Sequence, residues 1–211
     1  MRLGVDEAGK GPVLGSMFAA AVRADPGSLP EDVGDSKDIP PDRREQLAVE
    51  IHEAADAVAV AEIPVERIDA ADTDMNGLTV AAQASALADA ARAGDEGYAD
   101  AGDTNAVRFE RNVADAVPVE IGLHAEHGAD ATYPVVGAAS IVAKVRRDAH
   151  VATLTAEYGE VGSGYPSDPT TREFLREYVA EHDGLPACAR ASWQTSQDAL
   201  AAAEQSSLAD F

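Results

Sequence analysis

Two apolar strands followed by alternating helices and strands are the feature that most restricts the fold of this chain. Two apolar strands are predicted at residues 2–6 and 13–23. A turn at 8–12, which contains glycine and proline, joins them. Further strands are predicted at 58–63, 97–101 and 119–124. Helices are predicted at 41–57, briefly after Pro64, from the cap Asn76 to 93, and at 105–116, 134–158, 169–182 and 191–204. This order predicts an α/β fold, a mixed sheet flanked by helices with a small C-terminal helical extension.

The length predicts one main domain. A chain of 211 residues can bury a sizeable core, and residues 1–200 are assigned to it together with the helical extension. Residues 201–211 lack the apolar density to join a core, so a flexible tail is predicted there.

The composition is strongly acidic and poor in large aliphatic residues. The chain has 38 Asp and Glu against 16 Lys and Arg, a formal net charge of −22, and only three lysines. Alanine supplies 44 residues, and a buried alanine removes little apolar area from water. In molar salt the Debye length is about 3 Å, which screens the self-repulsion of such a surface. We therefore expect a protein that works in molar salt; a merely acidic mesophilic protein is the alternative.

Several classes of protein are excluded by the sequence. The single cysteine, Cys188, cannot form an internal disulfide or a zinc cluster. No apolar run approaches the ~20 residues of a membrane span, and acidic residues stand at 6 and 7, where a signal peptide is apolar. A soluble cytoplasmic protein is expected. The charge also argues against a general nucleic-acid binder, because such proteins usually present a basic surface.

Four carboxylates lie in or after predicted strands. Asp6 and Glu7 are adjacent at the end of the first strand, Asp100 closes a later one, and Asp130 lies in a predicted loop just ahead of a helix. Adjacent strand residues point to opposite faces, so one of Asp6 and Glu7 is expected to be buried and to need a partner or a cation. Carboxylates that meet at one edge of an α/β sheet suit a hard cation such as Mg²⁺ or Mn²⁺. Solvated charges are the alternative, and spacing alone does not select these four.

Ordered sequence blocks carry a stronger signal than spacing. They are 5–15 (VDEAGKGPVLG), 35–37 (DSK), 100–103 (DAGD), 129–130 (AD), 136–144 (VGAASIVAK) and 162–169 (GSGYPSDP). In this order they resemble ribonuclease HII, the type 2 ribonuclease H, and most of all its archaeal branch. The resemblance extends from residue 4 to about residue 195 and implies the ribonuclease H-like mixed sheet.

The resemblance implies a site and a reaction. An Asp-Glu-Asp-Asp set holds two divalent ions in this family, Mn²⁺ or Mg²⁺, and it corresponds to the catalytic and metal-binding residues Asp6, Glu7, Asp100 and Asp130. One cation activates the attacking water and the other stabilises the leaving 3′-oxygen. The family cuts the RNA strand of RNA–DNA hybrids and nicks 5′ of a single ribonucleotide in duplex DNA, which leaves 3′-hydroxyl and 5′-phosphate ends. This implies a part in ribonucleotide and RNA-primer removal during DNA replication and repair.

The resemblance also implies how ribose is told from deoxyribose. The family reads the 2′-hydroxyl with a Gly-Lys/Arg-Gly turn and a tyrosine, which here are Gly9, Lys10 and Gly11 with Tyr165. Lysine stands where the family often has arginine, which keeps the charge but removes the bidentate geometry of a phosphate contact.

The three lysines of the chain all lie in the motif blocks. Lys37 and Lys144 are therefore expected to contact the substrate, as is Ser140, which is one helical turn before Lys144. Arg146 and Arg147 extend this basic stretch. Local pairing of these cations with carboxylates is the alternative.

The last seven residues resemble a peptide that binds the sliding clamp, PCNA. Gln205, Leu208 and Phe211 have the spacing of the glutamine, aliphatic and aromatic positions of that motif, with one terminal aromatic instead of two. A frayed acidic tail is the alternative.

Three functions compete at this point. The first is a metal-dependent endonuclease of the ribonuclease HII type, expected to be a monomer. The second is a clamp-tethered protein that binds hybrids without turnover, against which the four carboxylates argue. The third is the related ribonuclease HIII, which carries an extra N-terminal domain, and a first motif at residue 5 leaves no room for one.

Overall fold

The computed structural model describes residues 1–34, 39–72 and 74–209, and side chains as far as residue 205. These residues form two compact units. As far as the description extends, the first unit contains residues 1–8, 17–34, 39–63 and 74–147, and the second contains 9–16, 64–72 and 148–209. Among the described helices, none has the length and apolar character that crossing a membrane requires.

A five-stranded mixed sheet is the centre of the first unit, as the sequence predicts. Its strands are β1 (Arg2–Ala8), β2 (Met17–Ala24), β3 (Ala57–Ile63), β4 (Glu96–Asp100) and β5 (Gly122–Glu126). They lie in the order β3-β2-β1-β4-β5. β2 is antiparallel to both β1 and β3, whereas β4 is parallel to β1 and β5 is parallel to β4. β1 is therefore the central strand.

Eight described helices accompany the sheet and the second unit. They are α1 (Pro41–Ala54), α2 (Val65–Ile68), α3 (Met75–Ala90), α4 (Ala106–Ala116), α5 (Ala129–Thr132), α6 (Pro134–Tyr158), α7 (Pro169–His182) and α8 (Gln194–Ala209). Within the first unit α3 packs on β1, β2 and β3, and α4 packs on β5 and α3. The start of α6 at Pro134 agrees with the prediction, because the missing N–H of proline costs nothing in a first turn.

The beginning of α6 rests on β1 at very close range. A β-carbon on Gly4 would lie 2.2 Å from the carbonyl carbon and oxygen of Val135, so only glycine permits this approach. Ile141 of α6 then joins Leu47 and Ile51 of α1 in a fully buried core. This close contact fixes the part of α6 that follows against the end of β1.

The second unit has its own apolar core. Leu14, Leu154 and Leu175 are buried in it, and the aromatic rings of Phe174 and Tyr178 pack beside them. α7, predicted at 169–182, supplies Phe174 and Leu175 to this core, and it packs on α8, predicted at 191–204.

The strand predicted at 13–23 is corrected by the structure. β2 begins only at Met17, and the eight residues before it, which include the predicted turn, belong to the second unit. Val13 and Leu14 are apolar because they pack in the core of that unit, not because they lie in the sheet. The sequence pattern shows that these side chains are buried but does not show which core buries them.

Other boundaries also differ from the sequence prediction: β1 continues to Ala8 instead of residue 6, α3 ends at Ala90 instead of residue 93, and α8 begins at Gln194 instead of residue 191. α3 is capped by Asp74, whose carboxylate accepts from Gly77 N–H at 2.8 Å, and not by Asn76. β5 begins not at residue 119 but at Gly122, where its pairing with Glu96 of β4 begins. α1 ends at Ala54, three residues early. α8 continues to residue 209, so most of the predicted tail is helical; the domain boundary at residue 200 stays a prediction.

Candidate active site

The ends of β1 and β4 bring three of the predicted carboxylates together. The two strands are parallel neighbours whose pairing ends at Val5 and Ala99, so the next residues, Asp6 and Asp100, lie side by side directly after the last pair. Side chains alternate along a strand, which places Asp6 on the same face as Gly4 and therefore towards α6. Glu7 follows on the opposite face, which α3 covers.

Asp6 is the buried member of the pair, as the alternation of the strand predicts. Its residue surface is only 5% exposed. The Glu7 N–H donates to Asp6 Oδ1 at 2.7 Å, and the Ser140 side chain also hydrogen-bonds the carboxylate. Burial raises the pKa of Asp6 well above its ordinary value, and the charges of Glu7 and Asp100 raise it further. A bound cation would favour the ionised form that this environment disfavours.

Glu7 is held by a residue that the sequence motifs do not contain. The amide nitrogen of Gln83 donates to Glu7 Oε2 at 2.6 Å and to the Asp100 carbonyl at 3.0 Å. Gln83 lies on α3 and is fully buried. It thus ties the ends of β1 and β4 together. The signal in the sequence is an amide residue among the alanines of a mostly apolar helix face.

The Asp100 carboxylate contacts the start of α5, the helix that contains Asp130. Asp100 Oδ1 accepts from the backbone N–H groups of Gly128 at 2.7 Å and Ala129 at 3.1 Å. Asp130 is the next residue, and it is 5% exposed. It lies in the one-turn helix α5 and not in the predicted loop, because the turn at Gly128 starts that helix directly after β5.

The chemistry of these donors fits a divalent cation of the Mg²⁺ type. Carboxylate oxygens are hard ligands, and their crowded negative charge around Asp6 is what such a cation offsets. Over the described ranges, no three Asp, Glu, His or Cys side chains surround one point closely enough to hold an ion by themselves. Mg²⁺ usually keeps several waters and binds through one or two carboxylates, so pairs of these side chains meet its requirement.

A basic side chain of α6, that of Lys144, is linked to Asp6 through Ser140. Lys144 Nζ donates to Ser140 Oγ at 2.9 Å, so the predicted pair does meet on one helical face. Lys144 is hydrogen-bonded to Ser140, and Ser140 is hydrogen-bonded to Asp6, so the three side chains are connected. Arg146 is exposed, as a phosphate contact requires. Arg147 is buried, with only 5% of its surface exposed, so the prediction that it extends the basic stretch is wrong.

The predicted ribose-reading residues lie in the second unit. Gly11 is exposed, Lys10 is half-buried, and Tyr165 is 44% exposed. A β-carbon at Gly11 would be 3.7 Å from Tyr165 Cε1, so the turn and the tyrosine ring are neighbours. The structure thus brings the predicted turn and tyrosine together within one unit.

The remaining predicted residues fall partly outside the description. Lys37 and Phe211 lie outside the described residues, and for Leu208 only the helical backbone is described. Gln205 is exposed on α8. The described part of the chain therefore leaves the predicted clamp peptide untested.

Known proteins resemble this chain over its whole length. The family model for ribonuclease HII matches residues 3–196. The ribonuclease HII of the halophilic archaeon Haloarcula marismortui is 70% identical over 211 residues, which is all of both chains. The crystal structure of ribonuclease H2 from Pyrococcus horikoshii superposes with a TM-score of 0.90 at 35% identity and covers 97% of this chain and 99% of that one. The structure of the PCNA:RNase HII complex from Archaeoglobus fulgidus gives 0.83 at 35% identity, over 94% and 96%.

Proposed function

Because the chain belongs to the ribonuclease HII family, whose members are metal-dependent endoribonucleases, we propose that it hydrolyses the RNA strand of RNA–DNA hybrids. We propose further that it nicks duplex DNA on the 5′ side of a single ribonucleotide and leaves 3′-hydroxyl and 5′-phosphate ends. The observation that carries this proposal is the buried Asp6 beside Glu7 and Asp100 at the ends of two parallel strands.

The four carboxylates would hold the metal. Two Mg²⁺ or Mn²⁺ ions, when bound, supply an activated water and stabilise the leaving 3′-oxygen. Asp6 and Asp100 leave adjacent strands, so a rigid sheet fixes the separation of these two donors. Glu7 is oriented by Gln83, and Asp100 by two backbone amides, so both carboxylates are preorganised by the protein. Asp130 follows those amides directly and would be the fourth donor.

Positively charged side chains and polar groups of the chain would hold the substrate. Lys144 is oriented by its bond to Ser140 and would contact a phosphate of the scissile strand. Arg146, which is exposed, would add a second phosphate contact, and Lys37 is proposed from its motif alone. In the second unit, the turn 9–11 and Tyr165 would read the 2′-hydroxyl.

Hybrid binding without turnover is the weaker alternative. A protein that only binds a polyanion gains nothing from placing a buried carboxylate and two charged neighbours at its site. The same residues are useful when a cation and a phosphate share the site, since the cation then offsets both charges. This favours the nuclease.

A sliding clamp is the proposed protein partner. The similar protein from Archaeoglobus fulgidus is described in a complex with PCNA. In this chain, Gln205, Leu208 and Phe211 would form the contact, with the aliphatic and aromatic side chains in an apolar pocket of the clamp. This partner would bring the nuclease to newly made DNA, where RNA primers and misincorporated ribonucleotides are removed.

The acidic surface is proposed to be an adaptation to salt. A net charge of −22 repels a polyanion in dilute buffer, but in molar salt that repulsion is screened within a few ångströms, about 3 Å. We propose that the protein acts as a monomer in a salt-rich cytoplasm. Net charge then reflects the solvent and not the ligand.

The test of this function is to map the cut on a defined substrate. A labelled DNA duplex with one central ribonucleotide is incubated with the protein and Mn²⁺ in molar KCl, and the products are compared with chemically made markers. We expect a single nick 5′ of the ribonucleotide, with a 3′-hydroxyl that a DNA polymerase extends. A cut on the 3′ side, a 3′-phosphate end or equal cutting of all-DNA duplex would contradict the proposal.

A further inference from the structure

Arg190 is the largest fully buried side chain of the described residues and is used by none of the functions above. Its guanidinium donates three hydrogen bonds to one short segment of the second unit. Nε donates to the Gly15 carbonyl at 2.9 Å, Nη1 to the Lys10 carbonyl at 3.0 Å and Nη2 to the Gly9 carbonyl at 2.6 Å. A buried guanidinium is costly unless its donors are satisfied, and here each of the three nitrogens has a backbone oxygen.

Trp193 completes this arrangement. Its indole N–H donates to the Gly11 carbonyl at 3.3 Å, and its ring lies 4.9 Å from the Arg190 guanidinium carbon. Three successive carbonyls, of residues 9, 10 and 11, are therefore turned towards two side chains from one segment of the chain. That segment is itself fixed, because the Asp69 carboxylate accepts from the backbone N–H groups of Ala191 and Ser192.

The planarity of the peptide bond gives these contacts a consequence on the opposite side of the turn. The carbonyl and the N–H of a trans peptide point in opposite directions. The Gly9 carbonyl is directed at Arg190, so the N–H of the same peptide bond, which belongs to Lys10, points away from Arg190. The Lys10 carbonyl is also directed at Arg190, so the Gly11 N–H points away from it in the same manner. Gly11 is exposed, and Pro12, which comes next, has no N–H. Two successive donors are thus aimed away from the guanidinium.

We propose that Arg190, supported by Trp193, is the positioning residue of the ribose-reading turn, which sets the Lys10 and Gly11 N–H groups to donate to the 2′-hydroxyl oxygen of a ribonucleotide. This inference rests on the proposed function, because it assumes that the turn reads ribose. Arg190 acts through the turn and touches no reacting atom. A fixed guanidinium fork suits this task, since lysine could satisfy only part of the three carbonyls at once.

The test measures ribose selectivity in binding, apart from turnover. All variants carry Asp6→Asn, which is expected to block cleavage, and their Kd values are measured by fluorescence anisotropy in molar KCl with two duplexes that differ by one 2′-hydroxyl. We expect Arg190→Lys to lower the preference for the ribonucleotide duplex, which is the ratio of the two Kd values, by about tenfold. This factor is equivalent to the loss of one good hydrogen bond. The Kd of the all-DNA duplex should change little. Trp193→Phe keeps an aromatic ring but loses the indole N–H, so it should lower the preference less.

A second buried arginine provides the control. Arg23 is 7% exposed and pairs with Asp56 and Asp95 in the first unit, so Arg23→Lys disturbs a buried guanidinium without touching the turn. It should lower the melting temperature and keep the preference. Folding of every variant is checked by circular dichroism, and where Arg190→Lys does not fold, Trp193→Phe decides.

The outcomes separate this inference from the proposed function. Folded Arg190→Lys and Trp193→Phe proteins with the parental preference would overturn the inference, as would an equal loss in Arg23→Lys or a parent with no preference at all. A wild-type protein that prefers the ribonucleotide duplex but does not cut it would contradict only the proposed nuclease activity.

Discussion

Replacing Gln83 by methionine tests whether the buried amide orients Glu7 for metal binding. Methionine has a similar volume and no donor, so it removes the bonds to Glu7 Oε2 and to the Asp100 carbonyl with little change in packing. A hydrogen bond to a charged group contributes about 1.5–3 kcal/mol and a neutral one about 1 kcal/mol. The change also has a favourable part, because Gln83 Oε1, among the described groups, is buried with no hydrogen-bond partner.

These contributions oppose each other in the fold, whereas only the loss affects the metal. Removal of a buried unsatisfied oxygen recovers about 1–3 kcal/mol of the roughly 2.5–4 kcal/mol lost with the two bonds, so the free energy of unfolding falls by at most about 3 kcal/mol. For the metal, loss of a group that orients a ligand typically lowers affinity about 10–100-fold. We therefore expect a folded Gln83→Met protein whose Mn²⁺ affinity is 10–100-fold weaker, roughly 1.4–2.8 kcal/mol.

Calorimetric titration with Mn²⁺ in molar KCl measures this affinity, and urea unfolding in the same buffer measures stability. Thr79→Val is the matched control, because Thr79 is buried one turn earlier on α3 and its hydroxyl donates to the Met75 carbonyl of the same helix. It should lose stability and retain Mn²⁺ affinity. An unchanged affinity in Gln83→Met, or an equal loss in Thr79→Val, would refute the reasoning.

Three further predictions address the charge at the site, the substrate contact and the clamp. The folded state raises the pKa of Asp6 above its ordinary value of 3.8. The contribution of Asp6 to stability is therefore present below pH 3.8 and is lost as the pH rises through its folded-state pKa. Asp6→Asn should raise the melting temperature of the chelator-treated protein at pH 7 and have little effect near pH 3. A variant no more stable than wild type at pH 7 would contradict this. Lys144→Ala should weaken hybrid binding several-fold, roughly the value of one charged contact, and spare Mn²⁺ affinity; an unchanged Kd in a gel-shift series would contradict it. Deletion of 205–211 should abolish co-elution with the sliding clamp and leave cleavage intact, whereas co-elution that survives the deletion would disprove the clamp contact.

The local part of the site could be predicted from the sequence. The alternation of a strand requires that one of Asp6 and Glu7 be buried, and the structure buries Asp6. The helical spacing of Ser140 and Lys144 predicts that they share one face of α6, and a hydrogen bond of 2.9 Å joins them there. Asp100 ends a strand, as expected. In each case the relation spans a few residues, where backbone geometry alone decides which side chains share a face.

The long-range part could not be predicted in the same way. The bond from Gln83 to Glu7 joins residues 76 positions apart, and the bonds from Arg190 to the turn join residues 175 to 181 positions apart. Propensity and periodicity carry no information on such pairs. The same limit explains residues 13 and 14, whose apolar character is consistent with either core.

Metal-dependent cleavage by the wild-type protein and its Asp6→Asn variant is the most direct test of the central claim, that the carboxylates at the ends of β1 and β4 form the active site of a ribonuclease. Both proteins are incubated with an RNA–DNA hybrid in molar KCl, with Mn²⁺ and with chelator, and Asp89→Asn, which changes an exposed carboxylate of α3, serves as the control. We predict RNA cleavage by wild type and by Asp89→Asn only with Mn²⁺, and a loss of at least about a thousandfold in Asp6→Asn. Cleavage by Asp6→Asn at the wild-type rate, or wild-type cleavage in chelator, would contradict the account.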